Sequence, residues 1–236
     1  MRAERAERAL DFAVRLLQFG DSVFPVGSFT FSNGLEMAVQ TGVVRDRATL
    51  AAYVRTVTRQ AATSDGIAVL AGHRGAVDGD PDQLRRADEA VLLRKLNEEA
   101  RTMTVRMGRK LAEAASRIVG DSVLNKRFRA AAADDPVPVT YPVALGALFA
   151  ALDLSEEDAF AVHQYGAAMV VLSAALRLLR VDHLDAQEIL FAVNATVADD
   201  YRDVAGAGLA DMRAFAPVID VLAAAHQQAH VRLFMN

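Results

Sequence analysis

The sequence predicts an all-α chain, a single-domain helical bundle of roughly ten helices. Three observations predict it. Apolar residues recur at spacings of three and four through most of the chain, and no convincing two-residue alternation appears. Capping residues stand in front of several of these stretches, and Gly, Pro and Asp clusters separate them. The composition is that of a packed protein, with 53% hydrophobic and 24% charged residues.

The elements follow in order. Residues 10–19 read as a first helix, with Leu10, Ala13, Val14 and Leu17 on one face. Residues 20–33 are rich in Gly, Ser and Pro and read as a loop. A short helix is expected over 35–40. Asp46 is placed to cap a longer one whose inward positions are Leu50, Tyr53, Val54 and Val57. Residues 67–77 continue helically. Asp80 before Pro81 is a cap and first-turn pair for the helix carrying Leu84, Val91 and Leu92. Met103, Met107 and Leu111 mark an amphipathic helix over 98–119.

Two prolines interrupt the chain at 134–139, the best candidate for an internal break. Apolar helices on both sides are expected to share one core. Pro142 opens the next helix, over 143–152. Ser155 to Asp158 resembles a capping box with Asp in the fourth place. The helix after it, to about residue 180, is apolar around most of its circumference, so it should be central. Asp182 caps a helix that turns Ile189, Leu190 and Val193 inward, and residues 218–230 form the last one.

Composition also excludes. Without cysteine there is no disulfide, thiolate metal site or thiol nucleophile, which fits a reducing cytoplasm. The N-terminus MRAERAERAL has no apolar centre and does not read as a secretory signal. The longest apolar runs, 141–152 and 166–176, fall short of the ~18–20 residues of a membrane span. Net charge is −4, distributed as +3 over 1–120 and −7 over 121–236, so nucleic acid is not an obvious partner.

Residues 21–36 do not look like an ordinary connection. Phe24, Val26, Phe29 and Phe31 sit in a predicted loop among Gly20, Gly27 and Gly34, with Ser22, Ser28 and Ser32 beside them. Loops run over surfaces. A loop this aromatic either folds back onto its own core or presents an apolar patch. Both readings stand on the residues alone.

The wording of the segment narrows them. Asp21, Ser22, Pro25, Gly27, Phe29, Ser32, Gly34, Leu35 and Glu36 match in order the pattern that opens UreF urease accessory proteins. Tyr141, Pro142, Val143, Ala144 and Gly146 resemble a second segment of that family, and Arg232, Leu233 and Phe234 resemble its C-terminus. The chain departs from the pattern at Val231, where Ser is usual, and at Phe29, where some members carry Tyr. It departs again around His163 and over residues 225–230, where only His226 matches.

The resemblance implies an all-helical, homodimeric, cytoplasmic factor. Such a factor joins UreD (also called UreH) and recruits the GTPase UreG, so that nickel enters apo-urease. It implies no enzyme activity, cofactor, membrane or nucleic acid. The expected partner surface is Asp21, Ser22, Phe24, Pro25, Gly27, Ser28, Phe29, Phe31, Ser32, Gly34 and Glu36, with Arg232, Leu233 and Phe234.

Other groupings are weaker. His226 and His230 have the i, i+4 spacing of a metal pair but no acidic third ligand close in sequence, so a small metal- or ligand-binding protein is the alternative reading. Asp199, Asp200 and Asp203 read as a solvated acidic face. The seven Lys and Arg residues from Arg94 to Arg117 read as a basic helix face or a contact for an acidic partner. Neither a phosphate-binding loop nor a nucleophile turn occurs, so no catalytic, cofactor or metal residue is assigned.

Overall fold

The computed structural model describes residues 2–21, 23–119, 138–214, 216–226 and 233–234. Among them the structure is helical, with no strand. In chain order the α-helices are α1 (Arg2–Gly20), α2 (Leu35–Gln40), α3 (Arg47–Ala61), α4 (Ile67–Val77), α5 (Pro81–Arg94), α6 (Glu98–Val119), α7 (Tyr141–Ala151), α8 (Glu156–Leu178), α9 (His183–Asn194), α10 (Val197–Val204) and α11 (Pro217–His226).

Local chemistry sets the starts. Asp46 caps α3 by accepting from the Thr49 amide, and Thr49 returns the bond to the Asp46 amide. Asp80 caps α5 ahead of Pro81. Reciprocal boxes open α8 (Ser155 with Asp158) and α9 (Asp182 with Asp185). Each satisfies amides that the first turn leaves unpaired, worth about 1 kcal/mol.

The α3–α4 connection was not legible. A single π turn, Ala62–Gly66, runs α3 into α4 without a break. Gln164 of α8 supports it. With its amide oriented by its neighbours, it donates to the Thr58 carbonyl at 2.9 Å and accepts from the Ala62 amide at 3.2 Å. The side chain is buried, so these backbone groups would otherwise have no water.

Packing follows from small residues. A Cβ built on Gly146 of α7 would lie 2.1 Å from the Val69 carbonyl of α4. One on Gly72 of α4 would lie 2.7 Å from the Val143 carbonyl of α7. These two backbones touch with no side chain between them. Gly108 of α6 makes the same close approach, 2.6 Å from the Val139 carbonyl just before α7. Almost every residue of α7 is buried.

The buried apolar residues form two clusters. One gathers α4–α7 with Phe19 and Val26, and the other gathers α2, α3, α9 and α11 with Phe234. Helix α8 serves both: Ala159, Phe160 and Val162 lie in the first, and Ala168, Val171, Leu172, Ala174 and Ala175 in the second. By length and hydropathy α8 alone among the described helices could cross a membrane, but over half of that window is buried inside the protein. It is the central helix the sequence predicted.

Two expectations are corrected. The face of α1 is the wrong one: Leu10, Val14 and Leu17 are exposed, and Leu16 and Phe19 turn to the core. The helix is apolar on two sides, so periodicity alone could not choose. The acidic group on α10 is not simply solvated: Asp200 is buried, and Arg59 of α3 pairs with both Asp200 and Asp203. The basic stretch from Arg94 is partly structural as well. Arg94 donates to the carbonyls of Met212 and Leu209, and Lys95 pairs with Asp65 at 2.6 Å. The break expected at 134–139 lies mostly outside the described residues.

Gly146→Ala is expected to destabilise the fold by about 3 kcal/mol or more, because a helix backbone must move to admit the methyl group. Gly166→Ala, inside α8 with open space around it, should instead be neutral or stabilising by about 0.5–1 kcal/mol. Urea unfolding of the two variants checks both signs.

Candidate functional site: the loop and the chain end

Asp21 and residues 23–34 lie between α1 and α2 in tight turns. The Asp21 carboxylate accepts from the Val23 amide and its carbonyl accepts from Phe24. Gly27 and Gly34 take the left-handed backbone, at φ 82° and 77°. At Gly34 a side chain would also crowd the Tyr53 hydroxyl (3.0 Å) and the Ile219 carbonyl (3.3 Å). Tyr53 fastens the turn by donating to the Asn33 carbonyl at 2.7 Å. Burial pushes its phenol well above the ordinary value.

The loop divides into a buried and an exposed part. Val26, Phe31, Ser32, Gly34 and Glu36 are buried, and Phe24 packs on Phe19 with ring centroids 5.2 Å apart. Asp21, Val23, Pro25 and Phe29 face solvent, with Phe29 66% exposed. Gly27 and Ser28 are half-buried. Most of the apolar surface therefore folds back onto the core, and the outward aromatic is Phe29. Ser22 and Arg232 lie outside the described residues.

Glu36 joins this loop to the chain end. It is 2% exposed, at the start of α2. Its Oε1 accepts from the Leu233 amide at 2.8 Å, and its Oε2 from the Phe234 amide at 3.1 Å and from His226 Nε2 at 2.9 Å. The other ring nitrogen of His226 is 3.5 Å from Glu99 Oε2, an ion-pair distance rather than a hydrogen bond. Burial alone would raise the Glu36 carboxyl, but the Leu233 amide, His226 and the Phe234 amide together outweigh it and hold the pKa below the ordinary value.

Arg177, in the last turn of α8, makes a second link. Its guanidinium lies 4.2 Å from the centroid of the buried Phe234 ring and donates to the Phe29 carbonyl at 3.0 Å. Leu233 beside it is 59% exposed. So two windows nearly 200 residues apart in sequence form one surface feature, with Phe29 and Leu233 outward and Glu36 and Phe234 beneath. Sequence reasoning missed Arg177, Tyr53 and Glu99. No local signal marks them, since each acts through a partner distant in sequence.

His226 is committed to Glu36 and fully buried, while His230 lies outside the described residues. No group of three His, Cys, Asp or Glu residues suited to a metal occurs among the described residues.

The UreF family profile matches residues 44–194. The urease accessory protein UreF 2 of Brucella abortus (strain 2308) is 51% identical over 229 residues, 97% of this chain and 94% of that protein. The urease accessory protein UreF of Yersinia enterocolitica is 48% identical over 224 residues, 94% of this chain and 97% of that protein. The chain belongs to the UreF family. The relatives are named urease accessory proteins, not urease. The family profile begins after α2 and ends at α9, so the profile match itself does not include the loop or the chain end, whereas the two relatives are matched over 97% and 94% of this chain.

The Glu36 contacts carry a pH dependence. Because its folded pKa lies below the unfolded one, the stability it contributes is present in full above the ordinary Glu value, about 4.3, and is lost as pH falls through the folded value. Glu36→Gln is expected to cost about 1–3 kcal/mol at pH 7. That difference should shrink once the pH drops below the ordinary Glu value, as chemical denaturation at several pH values will report.

Proposed function

We propose that this UreF-family chain is a non-catalytic scaffold of urease maturation. It binds UreD/UreH, recruits the GTPase UreG, and so promotes nickel insertion into apo-urease. It acts in the cytoplasm, as one domain and as a homodimer. The observation that carries this reading is the joined loop and chain end. An outward Phe29 and Leu233 are held in fixed relation by Glu36 and Arg177 beneath them. Rigid exposed apolar groups beside charged ones suit protein recognition, where a few anchors supply most of the affinity.

The proposed contact set is the exposed part of the motif, Asp21, Pro25 and Phe29, together with Ser22, Arg232 and Leu233. Phe31, Ser32, Gly34, Glu36 and Phe234 serve it from below by fixing its shape. The bound metal is cargo that passes between partners, and the nucleotide belongs to the GTPase.

Phe29→Ala, a truncation at an exposed position, should leave the fold within about 0.5 kcal/mol of wild type, and the variant that adds Arg232→Ala is the one tested for binding. It should lower recovery of UreD/UreH or UreG in a pull-down about tenfold or more, the loss of an anchor of about 1.4 kcal/mol or above. Phe31→Ala should do the reverse and unfold the protein by about 3–5 kcal/mol. Undiminished capture of both partners by the folded double variant would remove the site assignment.

A further inference from the structure

Beneath the loop, between α6 and α8, lies a cavity of about 210 Å³. Apolar cavities of about 150 Å³ in proteins can accommodate a benzene ring. The wall is mainly apolar, with Phe24, Met103, Met107, Leu111, Val162 and Val170. Four polar side chains on it are more than nine-tenths buried; Ser64 donates to the Gln60 carbonyl and Asn97 accepts from the Ala100 amide, which leaves Thr104 and His163 for a guest. Thr104 of α6 is 2% exposed, and its hydroxyl has no hydrogen-bond partner. His163 of α8 is 6% exposed, and in the Gln164 orientation described above its Nδ1 lies 3.5 Å from the Gln164 amide oxygen, too far for a strong bond. Burial lowers the pKa of His163 to about 4, so at neutral pH it presents an uncharged imidazole.

The charges on the wall are already engaged or weakened. Lys95 and Asp65 pair with each other at 2.6 Å. Arg94 spends its donors on the Met212 and Leu209 carbonyls. Burial raises the Asp220 carboxyl above its ordinary value, and Gln60 hydrogen-bonds it. Asp21 stands exposed at the rim. Such a wall rewards no net charge on a guest. It rewards an apolar body and one group able to bond a buried hydroxyl, because buried polar atoms are rarely left without a partner.

We propose that this cavity binds a small neutral amphiphile, a single ring bearing one hydroxyl. The ring lies among the methionine and valine side chains, and the hydroxyl is held by Thr104 and His163. The cavity adjoins the proposed partner surface through Asp21 and Phe29, which also line it, and the isolated full-length chain suffices to test binding without any partner.

The probes are phenol and benzene, titrated while the methionine methyl resonances are followed by NMR. Phenol should produce saturable shifts at Met103 and Met107 and bind about tenfold more tightly than benzene. Thr104→Val, which keeps the shape and removes the hydroxyl, should weaken phenol about tenfold and leave benzene unchanged. Ala167→Phe, on the cavity wall, should abolish binding of both, provided the rest of the spectrum stays folded. The proposal is overturned if neither probe saturates, if phenol binds the folded Thr104→Val variant as it binds wild type, or if a crystal soaked in phenol keeps only ordered water at Thr104.

Discussion

The crossing of α4 and α7 is the constraint on which the other helices depend. Backbones that approach with nothing between them leave no slack: a methyl at Gly146 would sit 2.1 Å from a carbonyl oxygen. This fixes both helices relative to each other. It leaves α7 buried almost all round, so α6, α5 and α8 must cover what remains. Buried α7 can carry no polar side chain without a partner. Its own start is served from outside, where Asp88 of α5 accepts from both the amide and the hydroxyl of Thr140 at 2.8 Å.

From that base α8 extends past the first cluster into the second. One long helix in two cores transmits position between them. Its first turn is tied by Arg74 to Glu156, with Arg74 also reaching the Ala205 carbonyl. Its middle carries Gln164 against the π turn. Its last turn carries Arg177 to the chain end. The fold core and the candidate surface are therefore not separate features. The residue that braces the surface stands on the helix that the crossing holds in place.

Much of this was legible in sequence, and the reasons differ by element. Caps such as Asp46, Asp80, Ser155 and Asp182 act on amides three residues ahead, so sequence spacing reveals them directly. Helix α8 announced its central place through an apolar circumference. What failed were choices that depend on distant partners. Helix α1 offers Leu10, Val14 and Leu17 on one face and Leu16 and Phe19 on another, and only the neighbouring α8 decides between them. Asp200 looked solvated because Arg59 lies 141 residues away. The loop motif was recognisable as a string, yet its physics was split. Phe31 and Glu36 face inward and Phe29 outward, and no periodicity exists in a loop to say which.

Glu36 gives that split its meaning. A buried carboxylate is costly unless every acceptor site is used. Among the described residues its bonds go to the amides of Leu233 and Phe234 and to His226, and not to an arginine or lysine. These three satisfy the charge, and the Phe234 ring is itself buried in the second cluster. Leu233 and Phe234 are held by this charge-assisted grip and by Phe234 under Arg177. The order of the chain end and the conformation of the loop consequently stand or fall together. A partner that touches Phe29 on one side and Leu233 on the other meets a single preassembled element, and does not have to supply the ordering entropy of two.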